Sequence, residues 1–271
     1  MTLFTLTGPK VKPILVKIGG SCLDTLSDLW WDDLAAIAGQ RKLIVVHGWS
    51  RPLERYQRNS GREPKFLVDQ YGFRSRWTDT EVLDDILQVS ALARQRIAFE
   101  LAKRRVPVLG VNGPDTGLLR ATVRPRLWWM EKKLVPLQNL VGPVVSVNAK
   151  LIEQLMCTVD ALAISPLATS PEHPLVNTDA DRAATQIALA LKLDSMVFAT
   201  DVAGLLVDGT LRAVLSSTEW DGLKQTIKGG MAKKVRSAFE ALAGEVTDAW
   251  IGNASVGDLL NCRSGTHVVR A

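Results

Sequence analysis

Apolar positions along this chain alternate between two periodicities. Short runs at 13–18 (Pro13, Ile14, Leu15, Val16, Lys17, Ile18) and 42–46 predict buried strands. Between them Leu29, Leu34, Ala35, Ile37 and Ala38 recur at helical spacing, predicting a helix over 29–40 and a β-α-β unit. A longer helical pattern runs from Thr78 or Asp79 to Lys103. Either residue can cap it, and Glu81 stands at capping-box spacing from Thr78. Further strands are predicted at 106–111, 161–164 and 196–199, with a last one at Val268 and Val269, and helices at 149–157, 178–193 and 233–244. The segment 120–147 breaks the alternation. Its prolines, its short apolar runs and Trp128 and Trp129 predict hairpins projecting from the sheet. Alternating strand and helix predicts an α/β fold, a three-layer αβα sandwich with a mostly parallel central sheet. Pro166, Pro171 and Pro174 mark a lobe boundary, giving lobes 1–170 and 171–271 on one continuous sheet.

Composition narrows the classes. At 271 residues, 46% hydrophobic and 23% charged, the chain can bury a core and is too apolar for a disordered protein. No apolar run approaches the roughly 18–20 residues that span a bilayer. The first ten residues lack a basic start followed by an apolar stretch, so a cytoplasmic protein without a signal peptide is expected. Cys22, Cys157 and Cys262 are too far apart for a disulfide framework or a metal-ligand set. The net charge of +5 is uneven: 51–76 holds seven basic and three acidic residues, and 120–133 holds five basic and one acidic. Such stretches attract phosphates, acidic substrates, acidic proteins or nucleic acid, or simply form a solvated face.

Two glycine turns close predicted strands: Lys17-Ile18-Gly19-Gly20-Ser21 and His47-Gly48-Trp49-Ser50. Backbone N–H groups at such turns can cradle a phosphate, although each alone also reads as a simple tight turn. Neither Walker A spacing nor a Gly-x-Gly-x-x-Gly fingerprint is present. Three more motifs follow in order: Ser75-Arg76-Trp77-Thr78-Asp79, Val176-Asn177-Thr178-Asp179-Ala180-Asp181, and Gly229-Gly230-Met231-Ala232-Lys233-Lys234. Together with Thr200-Asp201, Gly204 and Gly265-Thr266, their order and spacing resemble the amino acid kinase family, in particular its acetylglutamate kinase branch. Within that branch, Pro64-Lys65-Phe66-Leu67 and the run from Gly72 to Asp79 are most similar to kinases acting on aminoadipate or glutamate bound to a LysW-type carrier protein.

The resemblance implies a carbamate kinase-like fold and ATP-dependent phosphorylation of a side-chain carboxylate in lysine or arginine biosynthesis. It implies ATP with Mg2+ held mainly by phosphates, and no protein metal site. A carboxylate nucleophile is already ionised at neutral pH, so no general base is required. By the same resemblance, Lys17 stabilises the transferring phosphoryl group, Lys234 the leaving side, and Asp181 holds both lysines. Gly19, Gly20 and Gly48 bind phosphate, Arg76 and Asn177 bind the acceptor, and Thr200, Asp201, Gly204, Gly230 and Met231 frame the nucleotide. The implied partner is a small acidic amino-group carrier protein, or a small N-acyl amino acid such as N-acetylglutamate, with no nucleic acid and no membrane. A homodimer is expected. From the residues alone, Asp181 also reads as an ordinary helix N-terminal acid and Met231 as core. His47, Asp115, His173, His267, Trp30 and Trp31 read as structural.

Trp49 departs from the pattern, since the family's second turn reads His-Gly-Gly. A left-handed backbone at that position would cost Trp49 about 1–2 kcal/mol. Its indole would also fill space near the acceptor, so Trp49 joins the acceptor-site candidates. A weakened regulatory homologue is the reading of another class.

Overall fold

The computed structural model describes residues 11–70, 72, 74–123, 126–130 and 132–270. Its main sheet comprises β1 (Ile14–Ile18), β2 (Leu43–His47), β3 (Val108–Asn112), β4 (Ala161–Ser165), β5 (Ser195–Ala199), β6 (Val214–Ser216), β7 (Asp248–Gly252) and β8 (Thr266–Val269). The spatial order is β6-β8-β7-β5-β1-β2-β4-β3, parallel throughout except where β7 meets β8. The strands up to Ser165 lie on one side of β1 and those from Ser195 onward on the other. The switch point is therefore between β1 and β5, where parallel sheets open a crevice at their carboxyl ends.

Among the described residues eight α-helices cover the two faces: α1 (Asp28–Ala38), α2 (Ser50–Asn59), α3 (Thr80–Lys103), α4 (Ala149–Met156), α5 (Ala180–Ala190), α6 (Ser217–Leu223), α7 (Gly229–Ala243) and α8 (Val256–Leu260). Side-chain alternation along the strands divides the core. Leu15, Ile44, Leu162 and Phe198 face α4, α5 and α7, whereas Ile14, Val16, Val45 and Val197 face α1, α3 and α8. Lys17 takes the α5-facing register of Leu15 but sits one step nearer the strand end, so its ammonium emerges at the crevice.

Most predicted elements are present within a residue or two. Three differences have physical causes. The long helix starts at Thr80, capped by Asp79 accepting from Val82 N–H at 2.9 Å; Glu81 pairs with Arg62 at 2.8 Å and closes no capping box with Thr78. The helix α2 escaped the periodicity because its sequence is mostly polar and contains Pro52. That proline falls in the first turn, where a missing N–H costs nothing. The last long helix begins a turn early, at Gly229, whose φ of +67° suits glycine. The segment 120–147 does form hairpins: Arg126–Met130 pairs with Lys133–Leu137, and Leu119–Ala121 with Val144–Val147.

Candidate active site

The strand-end turns extend the sheet sideways by one bond each. Gly19 N–H donates to Ala199 O, Gly48 N–H to Ile18 O, and Thr200 N–H to Gly252 O, all at 2.9 Å. The two glycine turns also abut. A Cβ on Gly20 would lie 2.6 Å from Trp49 N and 2.7 Å from Ser50 N, so only glycine lets the first turn rest on the start of α2. A Cβ on Gly48 would meet Gly20 N at 3.0 Å and Lys17 Nζ at 3.7 Å.

At the centre, Lys17 Nζ lies 2.7 Å from Asp181 Oδ1 and Lys234 Nζ lies 3.2 Å from Asp181 Oδ2. Lys17 and Asp181 are buried, and Lys234 nearly so. Burial opposes charge on Lys17, but the adjoining Asp181 carboxylate outweighs it and holds the pKa above the ordinary lysine value. Burial likewise opposes ionised Asp181, yet the two ammonium groups hold its carboxyl below the ordinary range. Lys234 goes the other way: burial, then repulsion from Lys17, pull it down more than Asp181 restores. Two cations share one anion, leaving a net positive charge out of bulk water. The sequence explains the placement, because Asp179 caps α5 by accepting from Asp181 and Arg182 N–H and so turns Asp181 inward on the first turn. Lys233, exposed, reaches Asp179 at 3.3 Å.

The start of α7 is open. Lys228 offers no side-chain cap, and a Cβ on Gly229 or Gly230 would meet nothing within 4 Å. Met231 packs partly against the core. Gly204 (φ +157°) lies against Thr266, whose hydroxyl accepts Leu205 N–H at 2.8 Å. Asp201 is held by Arg51 at 2.9 Å and by the Thr200 hydroxyl at 3.3 Å. Partial burial opposes its ionisation, but its own backbone N–H, Arg51, Ser21 and Thr200 together keep it below the usual carboxylate range.

Arg76 ends the hairpin pairing Phe66–Val68 with Arg74–Arg76. It donates to Glu54 Oε1 at 2.9 Å and Gln57 Oε1 at 3.1 Å on α2, and its guanidinium lies 4.7 Å over the Phe66 ring. Burial lowers its pKa, which Glu54 only partly restores. Asn177 donates to Thr78 Oγ1 at 3.1 Å, and Asn139 accepts Thr78 N–H at 2.8 Å while donating to Arg76 O at 3.3 Å. Arg76 and Asn177 are thus joined through Thr78. Among the described residues, no hydrogen bond or ion pair links them to the Lys17–Asp181–Lys234 cluster.

Two residues outside the motif reading hold this geometry, Asn139 and Arg51, together with Ser21, which lies in the first glycine turn but has no role in that reading. Arg51 carried only a charge signal, and Asn139 lies in a connection with no periodic pattern. The strain expected at Trp49 is absent. Its φ of −140° is ordinary, and its indole is buried with Leu53, Leu83, Ile86, Val89, Leu140 and Leu167, a cluster that does not include Trp128 or Trp129. His47 Nε2 lies 3.0 Å from Ser165 Oγ, and burial, with Arg94 and Lys17 nearby, pulls its pKa down to about 3, so it is neutral at pH 7. The basic stretch 51–76 is largely neutralised from within and from neighbouring elements, with Arg58 on Glu63, Arg76 on Glu54, Arg55 on Asp24 and Arg62 on Asp85.

The sequence profile of the amino acid kinase family matches residues 12–253. The chain belongs to the amino acid kinase family. It is an enzyme of the kinase class. A Cenarchaeum symbiosum protein provisionally named LysW-aminoadipate/LysW-glutamate kinase is 35% identical over 248 residues, 89% of this chain and 92% of its own length. The LysW-aminoadipate/LysW-glutamate kinase of Metallosphaera sedula is 32% identical over 252 residues, covering 92% and 95%. Among solved structures, N-acetylglutamate synthase from Neisseria gonorrhoeae aligns at TM-score 0.78 and 22% identity over 96% of this chain; this chain spans 60% of that longer one. Carbamate kinase from Giardia lamblia bound to AMP-PNP aligns at TM-score 0.67 and 12% identity, covering 96% and 99%. These two likenesses concern the fold, and they agree with the three-layer sheet described above.

Proposed function

We propose that this kinase transfers the γ-phosphoryl group of ATP to the side-chain carboxylate of 2-aminoadipate or glutamate borne on a small acidic LysW-type carrier protein, a step of amino-acid biosynthesis. The observation that carries the reading is one buried carboxylate, Asp181, shared by Lys17 at 2.7 Å and Lys234 at 3.2 Å at the sheet's switch point. Transfer brings an anion against a polyanion, so a preorganised positive charge aimed at the developing negative charge is the main requirement. Lys17, beside Gly48, serves the transferring phosphoryl group; Lys234, on the first turns of α7, serves the leaving side; Asp181 orients both. The abutting turns at Gly19, Gly20 and Gly48 complete the phosphate cradle. Gly19 and Gly48, whose N–H groups already donate to Ala199 O and Ile18 O, bring the backbone close, and the Gly20 N–H, without a partner among the described residues, is the group left to donate to phosphate. Mg2+ arrives with ATP, held by phosphate oxygens and water.

In this reading the strands before the switch point and Arg76, with Asn177 and the nearby Trp49, form the acceptor lobe. Thr200, Asp201, Gly204, Gly230 and Met231 line the nucleotide lobe. Because Glu54 occupies Arg76, the acceptor's carboxylate exchanges with Glu54 or joins it on the guanidinium fork. Carrier docking falls to cations that have no carboxylate clamp among the described residues. Lys65 and Arg74 lie over the rings of Trp77 and Phe66 at 5.8 and 3.6 Å, and Lys132 and Lys133 are exposed on the neighbouring hairpin.

The test is ATP turnover with carrier-linked aminoadipate, carrier-linked glutamate and free N-acetylglutamate, each across a salt series. Turnover on a carrier-linked acceptor, with an apparent KM rising steeply with salt while that for ATP changes little, is expected. Equal use of N-acetylglutamate without a salt effect makes it a plain small-molecule kinase. Absence of turnover on every acceptor overturns the reading.

A further inference from the structure

Away from the crevice, the turn between α8 and β8 lines up a thiol, an imidazole and a carboxylate. Cys262 is exposed, and its Sγ lies 3.6 Å from Nδ1 of His267. The other ring nitrogen, Nε2, lies 2.8 Å from Asp248 Oδ1, and the Thr247 hydroxyl donates to Asp248 Oδ2, also at 2.8 Å. Antiparallel pairing of β7 and β8 sets Trp250 directly opposite His267. Their rings stack at 4.9 Å with planes 8° apart, and His267 N–H donates to Ala213 O at 2.8 Å. The ring is therefore fixed by sheet register, stacking and a carboxylate. A carboxylate accepting from Nε2 keeps the proton on that nitrogen and turns the Nδ1 lone pair toward the sulfur. Nucleophile, base and orienting group stand in the order that activates a thiol for attack.

We propose that Cys262 is a modification site for low-molecular-weight disulfides, with His267 as its base and Asp248 orienting that base. In the step, the Cys262 proton passes to His267 Nδ1 as the sulfur attacks one sulfur of the reagent. The reagent's S–S bond breaks and a new S–S bond to Cys262 forms. The departing thiolate takes the proton from His267, so one small thiol is released and no external electrons are needed. The other cysteines lack this arrangement. Cys157 is exposed at the end of α4 and donates to Glu153 O at 3.3 Å, whereas Cys22 is buried against Gly19 O at 3.2 Å. They supply an exposed and a buried reference within the same molecule.

The experiment treats the full chain with oxidised glutathione at neutral pH and follows each cysteine by peptide mass spectrometry. Cys262 should form the mixed disulfide at least about tenfold faster than Cys157, with Cys22 unlabelled. In His267→Gln, Cys262 should fall to the rate of Cys157; in Asp248→Asn it should fall several-fold. Labelling of Cys22 reports loss of the fold. If His267→Gln exposes Cys22, the Asp248→Asn variant decides. Equal rates at Cys262 and Cys157 in the wild type, or a Cys262 rate unchanged in the deciding variant, overturns the proposal.

Discussion

The proposed phosphate site and the proposed acceptor site hold their cations in opposite ways. At the proposed phosphate site, Lys17 and Lys234 project from a central strand and a helix onto one carboxylate, and the cluster keeps an excess positive charge. At the proposed acceptor site, Arg76 stands on a two-stranded hairpin, matched one-to-one by Glu54 and steadied by Gln57 and the Phe66 ring. An unbalanced buried charge calls for a ligand of the opposite sign, whereas a balanced pair exchanges partners. The first arrangement suits stabilising a charge that develops during reaction. The second suits reversible recognition of a carboxylate that arrives already charged.

Removing the shared anion should break this contrast most severely. Asp181→Asn leaves two neighbouring buried ammonium groups without a counter-charge, and a loss of about 3–5 kcal/mol in stability is expected from denaturant unfolding. Lys17→Ala and Lys234→Ala each leave a one-to-one pair behind. They should remain folded while turnover falls about 10²–10³-fold, checked by circular dichroism beside the kinetics. Near wild-type turnover in either would reject the assigned roles.

Next in size is Trp49→Gly. The indole is core for the α2–α3 layer and its backbone is unstrained, so the change should cost about 3–5 kcal/mol with no compensating gain in activity. A variant that melts like wild type, or turns over faster on N-acetylglutamate, would restore the crowding view of this residue.

His47 sharpens the contrast through pH. In the unfolded chain it takes a proton near its ordinary value of 6.5, in the fold only near 3. Between those values the unfolded state holds more protons, so stability falls as pH drops below 6.5, by about 2 kcal/mol at pH 5. His47→Asn should flatten that part of the stability curve. Parallel acid limbs for both proteins would show that other groups set it.

The smallest effect is expected where the charge is already balanced. Arg76→Lys keeps the charge but loses the fork, and should raise the acceptor KM about tenfold with kcat nearly unchanged. Glu54→Gln frees Arg76 from its internal partner and should lower that KM a few-fold. A change in kcat in place of KM would move Arg76 to the reacting side of the crevice.

Much of this architecture could be read along the chain. Strands such as Ile14–Ile18 and Leu43–His47 are fully buried and mostly apolar, and helices such as 29–40 carry their periodicity on local spacing, so both survive without tertiary information. Lys17, Asp181 and Lys234 are singled out by the family resemblance, whose motifs lie beside local turns and a cap: Lys17 two residues before Gly19, Asp181 two after Asp179, Lys234 four after Gly230. The helix α2, by contrast, is polar enough to pass for surface, and the short strand β7 lies between turns without a distinctive run.

What the sequence alone determined is therefore the alternation of elements, the turn chemistry and the family pattern, all functions of residues near one another in the chain. Only the tertiary structure decided which charges are spent and which are left over. Glu54 claims Arg76 across 22 positions, Asp201 meets Arg51 at 2.9 Å, and Asn139 locks Thr78 across 61. It also decided that Trp49 is unstrained core and that Cys262, five residues before His267, faces an imidazole oriented from the neighbouring strand. Local spacing sets which atoms a residue brings. The register of the sheet and the packing of its helices set which partners those atoms meet, and so whether a cation is left free to meet a ligand.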